Sequence, residues 1–239
     1  MKKVLHRAES RGHANYGWLD TRHTFSFANY YNPERMGFGA LRVLNDDIVA
    51  PGRGFSTHPH DNMEIISIPL RGALEHKDDM GYRSVIHKGE IQVMSAGRGI
   101  FHSEYNKSHE RDVNFLQIWV LPNQKNVEPR YDQMSMKKVE RKNGIYQILS
   151  PDKDDDGVWI HQKAWFFMGD FEEGHREVYG LREGRRNGLY LFVLDGAVDV
   201  EGVLLQKRDG LGLWETEELT ITAKQASSVL LMEVPMNNG

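Results

Sequence analysis

Short apolar runs, each closed by turn-forming residues, recur along almost the whole chain, and no stretch sustains a helical period against them. ALRVL (40–44), EIISIPL (64–70), EIQVM (90–94), NFLQIWVL (114–121), GIYQIL (144–149), LYLFVLDGAVDVEGVLL (189–205), LTITA (219–223) and SSVLLMEV (227–234) are rich in aliphatic, β-branched or aromatic residues. Many short strands at close spacing predict an all-β sandwich or barrel. The least decided segment is REVYGLREGRR (176–186). A weak internal repeat sharpens the expectation. EIISIPLRGALEH followed by KGEIQVMSAG, and LYLFVLDGAVDVEG followed by RDGLGLWETEE, both read as a hairpin turned at a glycine and then a glycine-led strand. Two copies of one β unit are expected, residues 1–132 and 133–239. A polar linker should lie within 122–144, where charged and turn-forming residues replace the apolar pattern.

The 39% hydrophobic and 27% charged fractions of the 239 residues are those of a globular protein. A net charge of −4 offers no basic footprint for direct nucleic-acid contact. The opening MKKVLHRAESRG breaks at His6 and Arg7 before any apolar stretch develops, so no signal peptide is expected, and no run reaches the ~20 apolar residues of a membrane helix. With no cysteine, a metal would have to be held by His, Asp or Glu. The expected location is cytoplasmic.

FSTHPHDNMEIISIPLRG (55–72) sets two histidines two positions apart. On a strand His58 and His60 project to one face while Pro59 points away, which suits an edge or the start of a strand. SAGRGIFHSEY (95–105) places His102 and Glu104 at the same spacing. The hairpin lies between these pairs, so closing the sheet could bring all four into one cavity. Three imidazoles and a carboxylate suit a first-row divalent ion with open coordination positions, the mark of a catalytic rather than a structural metal. A lone H-x-H is more often surface histidine; two pairs of like parity in adjacent β segments carry the stronger signal. Glu64 shares the parity of His58 and His60, and the spacing does not choose between it and Glu104. His76, on the return strand of the hairpin, is the remaining histidine placed to support the site from behind. DKDDDG (152–157) opens like an EF-hand loop, but the position due to hold its bidentate glutamate is Lys163, so a solvated turn is expected. The glycines of SAGRG precede no helical pattern and read as a tight turn rather than a phosphate cradle.

GWLDTRHTFSFANYYNP, MGFGALRVLNDD, FSTHPHDNMEI, SAGRGIFHSEYN and FLQIWVLPN together resemble the pirin family of two-barrel cupins, above all its bacterial members that cleave flavonols, the quercetin 2,3-dioxygenases. The match is specific through residue 132 and weaker beyond. The resemblance implies a bicupin with one metal in the N-terminal barrel, held by His58, His60, His102 and Glu104; this prefers Glu104 over Glu64. The implied ion is Fe(II), with Mn, Ni, Cu, Co or Zn as alternatives, and the implied reaction is ring opening of quercetin or a similar flavonol by O2, releasing CO and a depside. Glu104 would then also be the general base. Two other readings stay open: an iron-dependent redox-sensing protein or transcription cofactor that binds a protein partner, and a cupin acting through the same site on another enolic or phenolic compound. Aligning the two repeats on their glycines puts Arg182, Gly184 and Ala223 at the places of His58, His60 and His102. None is a ligand, so the C-terminal barrel is expected to be metal-free.

Overall fold

The computed structural model of the chain describes residues 1–237. Its regular structure is almost wholly β, interrupted by three short 3-10 turns among the described residues. Two seven-stranded sheets and two four-stranded sheets make two barrels of one pattern. In the first barrel the four-stranded sheet runs Gly54–His60, Ile100–Asn106, Ala73–Asp78, Arg83–His87. In the second it runs Arg176–Gly180, Glu218–Ala223, Ala197–Val200, Val203–Gln206. The ambiguous segment 176–186 is thus an edge strand followed by the 3-10 turn Gly184–Arg186.

Alternation along the central strands assigns each side chain to one of two cores. Ile66 and Ile68, with Leu116, Ile118 and Val120, turn outward from the first barrel. They meet Phe166, Met168, Tyr190, Phe192, Leu230 and Met232 of the second in one continuous cluster. The intervening residues of the same strands face the barrel interiors. The large sheets therefore pack back to back, and burial of this seam holds the barrels together.

The barrels also exchange strands. Lys2–His6 pairs antiparallel with Gly210–Trp214, in the sheet of the second barrel. Arg130–Ser135 pairs with Glu90–Ser95 and takes the equivalent place in the first. The region expected to be a linker therefore contains a strand, hidden because all six of its residues are half-buried and none repeats an apolar pattern. The division expected after residue 132 falls inside it. No helix of the described residues is long and apolar enough to cross a membrane. The DKDDDG segment is a turn, with the amide of Asp154 donating to Oδ1 of Asp152 at 3.0 Å.

Candidate metal centre

The H-x-H run lies on Gly54–His60, the edge strand of its sheet. Pro59 is exposed there and His58 and His60 are half-buried, as the alternation requires. The adjacent strand Ile100–Asn106 sets His102 directly opposite His58 and Ile100 opposite His60. SAGRG is the turn that feeds this strand: Gly97 has φ +50°, and a Cβ there would meet the carbonyl oxygen of Val127 at 2.1 Å, so only glycine fits. A register shift between His102 and Glu104 puts two residues of the edge strand, Ser56 and Thr57, against one of its partner, Ser103. At that bulge the carbonyl of Ser56 turns to accept a 2.7 Å hydrogen bond from Nδ1 of His58.

That bond fixes the chemistry of His58. With Nδ1 donating, Nε2 carries the lone pair, and it lies 3.1 Å from Nε2 of His102. Ligand atoms of His58, His60 and His102 all fall within 4.8 Å of one another, a spacing that can hold one metal ion. Nδ1 of His102 is buried without a hydrogen-bond partner. Burial, then the other imidazoles, push His60 down to about 4 and His102 to about 3, which keeps both rings neutral at ordinary pH. Three converging imidazoles, His60 and His102 kept neutral by burial and His58 with its Nδ1 committed to a backbone carbonyl, fit a borderline divalent ion.

Glu104 is buried and held from the barrel floor. Oε1 accepts from the Ser67 hydroxyl at 2.9 Å and Oε2 from the Gln117 amide at 2.6 Å. It lies outside the three-histidine group but close enough to act electrostatically on His60. Glu64 occupies a different environment. It begins the next strand, in the large sheet, after a break at Asp61-Asn62 where Asn62 adopts φ +44°. Parity counted from His60 does not carry across that break. Its Oε2 accepts from Ser95 at 2.6 Å, with Arg130 and a backbone group of His161 nearby, and burial pushes it up to about 7. His76, directly across the sheet from Glu104, is wholly buried; its Nε2 bonds Oδ2 of Asp78 at 2.9 Å, and its ring lies 5.4 Å from His102 and 4.7 Å from Tyr131.

Sequence reasoning did not single out Ser67, Gln117, Asp78, Trp119 or Tyr131. Trp119 packs edge-on against His60 at 5.0 Å, and Phe27 against Trp119 at 5.3 Å, making an aromatic wall beside the histidines. The signal for two of them was present: in NFLQIWVL, Phe115, Gln117 and Trp119 share one parity, and that face lines the first barrel.

A family model described as Pirin matches residues 4–120, and one described as a quercetinase C-terminal cupin domain matches 147–234. Quercetin 2,3-dioxygenase of Escherichia coli K12 is 43% identical over 231 residues, covering 97% of this chain and 98% of that protein. The chain belongs to the pirin family. A pirin-like protein of Caulobacter vibrioides is 39% identical over 93% of this chain and 95% of its own. The crystal structure of a bacterial pirin from E. coli in complex with nickel(II) superposes with a TM-score of 0.93 at 40% identity, covering 99% of this chain and all of that one. Two cupin domains and membership of a family of cupin metalloproteins are thereby in place.

Register also gives the counterparts of the site in the second barrel. Tyr179 stands opposite Leu219 as His58 does opposite His102, and Leu181 bonds to Glu217 two positions on, at the place of His60. Ile221 across from Val200 replaces Glu104 across from His76, and Leu191 across from Leu231 replaces Ser67 across from Gln117. The counterparts are therefore not Arg182, Gly184 and Ala223. Loops of unequal length separate the strands in the two halves, so alignment on the glycines slips by several residues.

Proposed function

We propose that the chain is a metal-dependent dioxygenase that opens the ring of flavonols such as quercetin with O2, releasing CO and a depside. The observation that carries this reading is the convergence of three imidazoles beside a buried carboxylate and an aromatic wall. The quercetin 2,3-dioxygenase name of the 43% identical relative supports it. His58, His60 and His102 would hold the ion, with Glu104 as fourth ligand, in the first barrel. The second barrel would take none and braces its partner. Fe(II) is the ion we assign. When bound, the ion supplies Lewis-acid and redox chemistry at a site left net positive by three neutral ligands and one carboxylate.

The chain's own residues do the rest. Glu104 is placed to take the proton of the flavonol 3-hydroxyl, and a bound ion would favour the resulting oxyanion. Ser67 and Gln117 hold both carboxylate oxygens, which limits the rotation that would aim Glu104 elsewhere. Trp119 and Phe27 offer flat apolar faces to the substrate rings and exclude water from that side. Atoms balance with one O2 consumed and one CO released per flavonol. The test is stoichiometric O2 uptake and CO release with quercetin, on protein whose metal content has been measured. Full metal loading with neither gas exchanged would overturn the reading.

A further inference from the structure

The seam between the barrels carries a cluster that the metal centre does not use. Asp46 points out of the first barrel and accepts from Asn114 Nδ2 at 2.7 Å and from Nε of Arg208, on a turn of the second barrel, at 2.8 Å. Arg11, on the segment that follows the exchanged strand Lys2–His6, enters from the side. Its side chain is only 6% exposed, with Nε donating to the carbonyl of Ala8 at 3.3 Å and the guanidinium over the ring of Phe192. Nη1 of Arg11 has no hydrogen bond; the nearest carboxylate oxygen, on Asp46, is 3.6 Å away. Arg22 completes the wall, with Asp20 at 3.9 Å. These side chains surround a cavity of about 270 Å³.

Three guanidiniums face two carboxylates, and Asp20 also bonds His13 and Asn15 on its outer side. The side chains lining the cavity thus carry one positive charge in excess. A buried guanidinium N–H without an acceptor is costly, and its forked geometry matches an oxyanion. Burial, with the neighbouring Arg208 and Arg22, opposes the Arg11 charge more than Asp46 supports it, and an anion would add to that support. The volume is below the ~300 Å³ at which pockets for drug-sized ligands begin, and it suits a single small oxyanion better than a flavonol.

We propose that Arg11, Arg22 and Arg208 form a binding site for a small oxyanion, inorganic phosphate or the phosphate head of a small metabolite, placed to tie the two barrels together. The proposal stands apart from the dioxygenase reading, because no residue of the metal centre takes part.

The test is calorimetric titration of the full chain with inorganic phosphate, and separately with glycerol phosphate, at constant ionic strength set with chloride. Saturable 1:1 binding of phosphate is expected; tighter binding of the ester would identify the head-group source, and phosphate alone the free anion. Arg11→Gln and Arg22→Gln should each weaken it about tenfold or more. Asp20→Asn should tighten it by removing a competing charge, a gain that a merely structural cluster would not show. Arg22 is 41% exposed at its side chain, so its substitution leaves a folded protein even where Arg11→Gln does not. Heat indistinguishable from chloride dilution for both anions, unchanged affinity in Arg22→Gln, or weaker binding in Asp20→Asn would overturn the proposal.

Discussion

The two barrels share strand order and register but fill their interiors with opposite chemistry. In the second, Leu191, Val200, Leu211, Leu219, Ile221 and Leu231 form a dry apolar plug. Tyr179, the counterpart of His58, brings a polar tip, satisfied by Glu233 at 2.5 Å. At the matching positions the first barrel carries Ser67, His76, Gln92, His102, Glu104 and Gln117, all buried. Each apolar side chain forgone there gives up about 1.5–3 kcal/mol of burial. Every buried side-chain polar atom found without a partner among the described residues belongs to the first half of the chain. One barrel is built for stability and the other trades stability for a site, and the large apolar seam lets the first lean on the second.

Substitutions at paired positions should break this symmetry unequally. His102→Ala should weaken metal binding by more than about 100-fold, beyond the 10–100-fold typical of groups that support a ligand from behind. Its counterpart Leu219→Ala should leave metal stoichiometry alone and cost about 2–5 kcal/mol in denaturant unfolding. Gln117→Leu should weaken metal affinity about 10–100-fold in calorimetry. The reverse exchange, Leu231→Gln, should instead cost stability, about 1–3 kcal/mol for a buried amide without a partner.

The pH dependence should also divide by environment. Glu64 has its folded value raised from 4.5 to about 7, so its contribution is complete below 4.5 and is lost as pH rises through 7. Glu64→Gln should flatten that fall, on the order of 2 kcal/mol between pH 5 and 7.5, measured by urea unfolding. His60 and His102 act with the opposite sign: lowered from 6.5 to about 4 and 3, they make the metal-free protein lose stability as pH falls below 6.5. The smallest effect belongs to Pro59→Ala, which should stay within about 0.5 kcal/mol because the residue is exposed on an edge strand.

The all-β class and the convergence of His58, His60 and His102 were legible because both depend on period-two alternation, which a sequence displays directly. Glu64 shows where that reasoning stops, since one residue in a left-handed conformation, Asn62, resets the parity. The partners of Glu104 come from strands distant in sequence, and only closure of the barrel brings Ser67 and Gln117 together. The strand Arg130–Ser135 was missed because a half-exposed strand at the end of a sheet needs no apolar stripe. Matching the halves by their glycines failed for a related reason: strand pairing is held fixed by hydrogen bonds, while the loops between strands are free to change length.

The exchanged strand near the start of the chain has a consequence for biogenesis. Lys2 pairs with Trp214 and His6 with Gly210, so this strand is synthesised about two hundred residues before its partner exists. Until then it is an open backbone edge, and the sheet it completes lacks one border. Closure of the second barrel therefore depends on a pairing between strands far apart in the chain, and this non-local contact should form late in folding.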